Sequence, residues 1–275
     1  MAIEQHLYLS PHIDDVSLSC GGAIYQQRRA GETVLVATVF AAQPKFKTFS
    51  AYADWMHGIW GNPGEVVATR LAEDQASMIV LGCEARYLPF SDCIYRGDPQ
   101  AGVWYYTSNE ALFGDIHPDD LPLADQIIVA VNELIAEPDK TVIYAPLAVG
   151  HHVDHQLTRQ AARQLMAQGY HVTFYEDYPY ADPKYPYSSH SIRNAYPLEA
   201  ALADSQDLGL KPNLRHLSDE AVRAKVAGIQ AYRSQLDMLF EGTAAVAGYV
   251  SDYALYVGQG QLAEQVWSVE SRAAG

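Results

Sequence analysis

Ser10-Pro11-His12-Ile13-Asp14-Asp15 decides how this chain is read. The residues before it, His6-Leu7-Tyr8-Leu9, spell a short buried strand. Val16 to Arg29 carries a helical pattern that Gly31 stops. One imidazole and two carboxylates therefore crowd the turn between a first strand and a first helix. In open α/β sheets, ligands bind at the carboxyl ends of strands. Imidazole together with carboxylate suits a divalent ion such as zinc. The plain alternative is that an Asp only caps the helix. A second copy, His117-Pro118-Asp119-Asp120, follows no apolar strand and precedes a helix, so it reads as capping alone.

The first copy has a distant partner. Gly150-His151-His152-Val153-Asp154-His155 follows the apolar run Thr141 to Pro146, another strand end. A helix then starts near Val153 and runs through Leu165. His152 and His155 are three apart, so a helical first turn puts them on one face. Two such clusters on strand ends of one sheet can supply the three protein ligands and open position of a catalytic zinc site.

These two boxes, SPHIDDVSLSCGG and HHVDH, resemble those of the zinc-dependent de-N-acetylase family of PIG-L and LmbE. Arg70 to Asp74, Phe90 to Arg96 and Tyr175 to Tyr180 extend the likeness over most of the chain. The resemblance implies removal of acetyl groups from N-acetylglucosaminyl compounds. It implies His12, Asp15 and His155 as zinc ligands, with iron(II) able to use the same set. Asp14 becomes the general base, since neighbours on a turn point differently and one can stay free of the metal. His152, one helical turn before His155, becomes the oxyanion stabiliser or the acid. Asp154 becomes an outer carboxylate that orients a ring, or else a helix cap. Arg70 and Asp92 correspond to residues that contact the substrate in relatives; their plain readings are a solvated helix charge and a cap. Glu176-Asp177 falls on a cleft segment with no assigned step. Val16 and Gly150 depart from the Glu and Tyr that many and some relatives carry there. His151 is an extra imidazole placed at the rim or in solvent.

The remaining pattern is that of an α/β protein: a Rossmann-like, mostly parallel sheet flanked by helices, with long loops around the site. Thr33 to Phe40 is a strand buried on both faces, joined to the first by a right-handed crossover. Gly21 and Gly22 imply close packing of the first helix against a neighbour. Ala41 to Gly64 reads as an aromatic loop, with His57 structural. Glu65 to Leu81 reads as a helix, Glu84 to Pro89 as a strand and 99–122 as an insertion. Helix Leu121 to Ala136 and strand His171 to Tyr175 follow, then a Tyr- and Pro-rich loop from Pro179 to Pro197. Leu217 to Arg233 is a helix capped at Ser218, and another is expected over Ser234 to Ala247. Tyr249 to Val257 and Gln265 to Val269 are expected to pair as closing strands. No linker divides the chain, which predicts a single domain over 1–275.

A formal charge of −15 and 49% hydrophobic residues describe a folded protein with an acidic surface. Such a surface repels nucleic acid and anionic lipid and favours a soluble enzyme acting on a small molecule, which the resemblance makes an amino sugar. Three cysteines, Cys20, Cys83 and Cys93, form no CxxC and suggest neither a disulfide framework nor a thiolate zinc site. Cys20 reads as a small buried residue. The absence of a signal pattern or a membrane-length apolar run gives a cytoplasmic, membrane-free expectation; a homo-oligomer is compatible with it. Two other functions fit the same fold: an amidase acting on a sugar–thiol conjugate, and a carbohydrate-binding protein with an idle metal site. A two-metal phosphoesterase would need more carboxylates than the boxes supply.

Overall fold

A computed structural model describes residues 3–61, 65–189, 191 and 196–269. The first half alternates strand and helix. It contains β1 (Gln5–Ser10), α1 (Asp15–Arg29), β2 (Val34–Thr38), α2 (Ala51–Ile59), α3 (Val66–Leu81) and β3 (Glu84–Tyr87). A small excursion follows, with the two-residue strands β4 (Gly97–Asp98) and β5 (Val103–Trp104) and the one-turn α4 (Asn109–Leu112). Then come α5 (Leu123–Asn132), β6 (Thr141–Pro146), α6 (Val153–Ala167) and β7 (His171–Tyr175). The chain ends with α7 (Leu198–Ala203), β8 (Leu210–His216), α8 (Asp219–Ile229), α9 (Leu236–Leu239), α10 (Val246–Val257) and β9 (Ala263–Val269).

Seven strands form one sheet in the order β3-β2-β1-β6-β7-β9-β8. The first five lie parallel; β9 runs antiparallel to both β7 and β8. This is the Rossmann-like sheet expected, with an antiparallel edge added. Side-chain alternation explains why both faces are covered. Leu7 and Leu9 pack with Ile127, Leu157 and Leu165 of the α5–α6 layer. Tyr8, between them, packs with Val16, Cys20 and Ile24 of α1 and Met78 and Leu81 of α3. Each fully buried Leu here stabilises the fold by roughly 1.5–3 kcal/mol.

From β1 the chain winds out through β2 to β3, and later resumes on the other side of β1 with β6 and β7. The carboxyl ends of β1 and β6 thus flank the point where strand order reverses, where a crevice opens in such sheets. Both polar boxes emerge there.

The paired glycines have the reason foreseen for them. A Cβ on Gly22 would lie 2.6 Å from Leu217 Cδ1, and one on Gly21 would lie 3.2 Å from Lys225 Cγ. Cys20 is buried. Four expectations need correction, the first being the helix over Ser234 to Ala247, which is only the single turn of α9 flanked by turns before α10 begins at Val246. The aromatic stretch from Ala41 contains α2, capped by Ser50, whose hydroxyl accepts from Ala53 N at 3.0 Å; Gly64 lies outside the described residues. Tyr249 to Val257 is helical, because its buried positions Val246, Val250, Tyr253 and Ala254 recur at helix spacing. The strand that pairs with β9 is instead β8, LKPNLRH, a mostly exposed edge strand that tolerates Pro212. Of the loop 179–197, residues 190 and 192–195 lie outside the described residues.

Candidate active site

Ser10 sets the first turn. Its hydroxyl donates to His12 O at 2.6 Å and accepts from Val16 N at 3.2 Å. The amino end of α1 is thus served by a serine four residues before Asp14, and Asp14 makes no side-chain capping bond. Both carboxylates are left for other work. Asp15 Oδ2 accepts from His12 N at 2.7 Å, which folds the turn back on itself.

The second turn, between β6 and α6, is held more tightly. Ala148 and His151 take φ of 62° and 65°, a left-handed conformation that costs non-glycine residues energy and clusters at functional sites. Val149 N donates to Asp177 Oδ2 at 2.9 Å, and Gly150 N donates to Tyr196 O at 2.9 Å. The cap of α6 is the His152 imidazole, whose Nδ1 accepts from Asp154 N at 3.2 Å. Asp154 is therefore free of capping.

The two turns meet. Asp15 Oδ2 lies 3.3 Å from His12 Nδ1 and 3.2 Å from His155 Nε2. His152 joins them: a nitrogen from each of His12, His152 and His155 falls within one 4.8 Å cluster. The outer nitrogen of each inner ring is tied to a carboxylate. His12 Nε2 donates to Asp154 Oδ2 at 2.9 Å, and His155 Nδ1 donates to Asp177 Oδ1 at 2.6 Å. That leaves His12 Nδ1 and His155 Nε2 facing Asp15.

Donors about 2.0–2.1 Å from a tetrahedral ion stand roughly 3.3 Å apart, and Asp15 Oδ2 has that spacing to both imidazoles. Carboxylates behind the rings fix tautomer and orientation as they do around metal-ligating histidines. This His/His/Asp set fits a divalent metal ion.

The charges agree with that fit. Burial alone would lower the His12 pKa, but hydrogen bonds to Asp15 and Asp154 hold it well above the usual imidazole value. His155 is raised in the same way, to about 9, against burial and through Asp15 and Asp177. Asp15 sits well below the carboxylate range despite burial, held there by His155 and His12. The cluster thus attracts positive charge. His152 goes the other way: burial, then the neighbouring His12, push it well down, so it is neutral. With Nδ1 accepting, its proton sits on Nε2.

Asp14 is buried, and burial raises its pKa against the pull of Arg70. Arg70 Nη2 stands 3.5 Å from both Asp14 oxygens, its guanidinium lies 5.0 Å over Trp60, and its buried Nε has no partner. Asp92 caps the turn that follows it through Ile94 N, and its Oδ2 is 3.9 Å from His12 Nε2. Asp14, Asp15, His12, His152, Arg70 and Asp92 all line one cleft of about 610 Å³, its open mouth included. Trp60, Phe113, Tyr180 and Met238 supply apolar wall.

Other residues fall elsewhere. His57 is buried, its Nε2 2.7 Å from Tyr95 Oη, a structural contact. His151 is half-buried, with Nδ1 3.2 Å from Phe113 O and its ring 4.3 Å from Tyr196. The ring that the Asp154 carboxylate holds is His12. Asp177, unassigned from sequence, is the carboxylate behind His155; its place just past β7, next to β6, was the available signal. Arg96 was also missed. Its Nη1 lies 2.5 Å from Asp154 Oδ1 and its Nε donates to Asp120 Oδ2 at 2.7 Å.

A strand-end site of imidazoles and carboxylates, with a second buried carboxylate beside the donors that pairs with Arg70, is the arrangement of a metal-dependent hydrolase on a Rossmann-like sheet. The family model for PIG-L, described as GlcNAc-PI de-N-acetylase, matches residues 7–166, more than half of the chain, and the chain belongs to that family. It is 33% identical over 188 residues to a 2′-N-acetylparomamine deacetylase of Niallia circulans, covering 63% of this chain and 66% of that one. It is 32% identical over 232 residues to the enzyme of the same name from Streptomyces fradiae, covering 84% and 73%. Among solved structures, the zinc-inhibited form of teicoplanin deacetylase superposes with a TM-score of 0.76 at 29% identity, over 96% of this chain and 97% of that one. The chain is a hydrolytic deacetylase by class. Among the described residues, no helix is long and apolar enough to cross a membrane.

Proposed function

We propose that the chain removes the N-acetyl group from an amino sugar carried on a small natural-product scaffold, with zinc as its metal. The observation that carries this reading is the meeting of His12 Nδ1, Asp15 Oδ2 and His155 Nε2 beside the buried, uncapped Asp14. A zinc ion held by those three supplies Lewis acidity towards water and the amide carbonyl. Asp14 takes the proton of the attacking water and returns it to the departing amine; burial lifts its pKa above the ordinary carboxylate value against the pull of Arg70. His152, whose Nε2 lies 3.8 Å from Cys93 Sγ, is the neutral donor that turns its Nε2–H to the charge developing on the carbonyl oxygen. Arg70 and the Asp92 carboxylate, both on the cleft wall, hold sugar hydroxyls. Asp154 and Asp177 keep His12 and His155 aimed. An idle carbohydrate-binding protein has no use for a buried, uncapped carboxylate beside a complete His/His/Asp donor set. The reading carries a cytoplasmic location, where Cys20, Cys83 and Cys93 stay reduced.

The test is release of acetate and free amine from 2′-N-acetylparomamine and from N-acetylglucosaminides by the zinc-loaded protein. Asp14→Asn is expected to lower kcat by roughly 10²–10⁴ with zinc content unchanged. No amine release from any of these compounds, or full turnover in Asp14→Asn, rejects the assignment.

A further inference from the structure

The second HPDD box has a part in the site that capping does not cover. Its His117 does cap the short turn, since Nδ1 accepts from Asp119 N at 3.2 Å. Asp120, however, points inward. It is buried, and its Oδ2 accepts from Arg96 Nε at 2.7 Å. Arg96 in turn reaches Asp154 Oδ1 with Nη1 at 2.5 Å, and Asp154 Oδ2 accepts from His12 Nε2 at 2.9 Å. Four side chains from four separate stretches thus form one buried line, Asp120–Arg96–Asp154–His12. Their exposures are low: 8% for the Arg96 side chain, 6% for Asp120 and none for Asp154.

The guanidinium is held on several sides, although its buried Nη2 has no hydrogen-bond partner and Asp154 Oδ1 meets Nη1 as an ion pair rather than in hydrogen-bond geometry. Its carbon lies 5.0 Å from the Phe40 ring and 5.2 Å from the Tyr106 ring, and Nη1 also donates to Ser91 O at 3.2 Å. Asp154 is held equally, by Cys93 N at 3.0 Å on the oxygen that His12 uses. A planar fork joining two carboxylates cannot rotate without breaking one of them.

We propose that Arg96, clamped by Asp120, is a positioning residue of the catalytic centre: it sets the Asp154 carboxylate, and through it the rotamer and tautomer of His12. The proposal rests on His12 being a metal ligand. Truncating Arg96 frees Asp154 to turn away, and His12 Nδ1 then drifts from Asp15. Metal affinity is lost without any change in the donor set. Outer partners of this kind are worth roughly 10–100-fold in affinity.

The experiment measures zinc affinity by chelator competition, with folding followed by thermal melting. Arg96→Met is expected to weaken zinc binding by roughly 10–100-fold, and Arg96→Lys, which can still reach one carboxylate, to recover part of it. Asp120→Asn keeps an acceptor and is expected to lose less than Arg96→Met. Leu165→Ala, a core change at the carboxyl end of α6, some ten residues beyond His155, supplies a variant of lowered stability and is expected to keep wild-type affinity. The hydrogen-bonded Nε2–H proton of His12, sought by NMR in the metal-free protein, is expected to vanish in Arg96→Met. Equal zinc affinity in Arg96→Met and wild type overturns the proposal, as does an equal loss in Leu165→Ala. His12→Ala separates the two levels. If that variant keeps its zinc, the ligand reading itself has failed; if it loses zinc while Arg96→Met does not, only the positioning role has.

Discussion

His12-Ile13-Asp14-Asp15 and His117-Pro118-Asp119-Asp120 share three letters in four and end up doing different things. The first follows a central parallel strand at the point where strand order reverses, so its side chains enter the cleft. The second closes a loop, and only Asp120 turns inward. The difference also lies in who caps the turn. Ser10 serves α1 and releases Asp14 and Asp15, whereas His117 spends its own imidazole on the cap. A motif's meaning is set by the strand before it and by the nearest spare hydroxyl.

The largest effect expected from breaking the first box is at Asp15. Asp15→Ala removes the oxygen that stands 3.2 Å and 3.3 Å from the two imidazoles. Zinc affinity should fall by more than the roughly 10–100-fold typical of outer partners, with no measurable turnover at trace zinc. Metal analysis after dialysis checks this; zinc retained at one per chain would remove Asp15 from the ligand set.

The boxes also differ in what backs them. Asp120 is bonded to a guanidinium, whereas behind the first box the buried Asp74 is bonded to two phenols, with Arg70 and Asp14 near enough to act on its charge. It accepts from Tyr232 Oη at 2.6 Å and from Tyr87 Oη at 2.8 Å, and Tyr232 Oη also meets Ser17 Oγ of α1 at 2.9 Å. Burial raises Asp74 to about 6, more than the two hydrogen bonds pull it back. A carboxyl raised on folding binds its proton more tightly in the native state. Its contribution to stability is therefore complete below the unfolded pKa of about 3.9 and is lost as pH rises through about 6. The swing is on the order of 3 kcal/mol. Asp74→Asn should remove that swing, so that the variant gains on wild type as pH is raised from about 4 to about 7. Urea unfolding at the two ends of the range measures it, and parallel curves for the two proteins would refute it.

A smaller effect sharpens the capping contrast. Ser10→Ala should destabilise the protein by about 1 kcal/mol. It should also lower kcat/KM, because Asp14 is then the nearest side chain able to cap α1. Thermal melting and kinetics together decide this: unchanged kcat/KM with a lowered Tm would mean Asp14 does not respond to the lost hydroxyl.

Much of this was legible because three signals coincide at the first box: an apolar strand, a polar turn and a helix start. The same coincidence marked the box after β6. The pieces that were not legible lack a local pattern. β8 is a polar edge strand carrying Pro212, so it has no alternating apolar face to read. Helix α10 is rich in tyrosine and valine, which favour strands, and only its burial at helix spacing gives it away. Arg96 and Asp120 stand 24 residues apart, and no periodicity joins them. Nor does the sequence say which ring Asp154 holds, since that depends on how the two turns face each other.

The smallest effect is expected at Asp119, and it tests the comparison most directly. Asp119 matches Asp14 in the alignment of the two boxes, yet its side chain is 69% exposed. Its carboxylate accepts from Tyr105 Oη at 3.2 Å and lies 3.8 Å from His117 Nδ1, both at the surface. The cap uses the backbone N–H of Asp119, which any residue but proline supplies, and Tyr105 stays stacked on His117 at 3.9 Å. Exposed pairs of this kind are worth about 0–1 kcal/mol. Asp119→Ala should therefore shift stability by less than about 0.5 kcal/mol and leave zinc affinity and kcat where they were. A loss of turnover approaching that of Asp14→Asn would mean that the letters themselves carry the chemistry, wherever the chain puts them, and that the strand end before the first box is incidental.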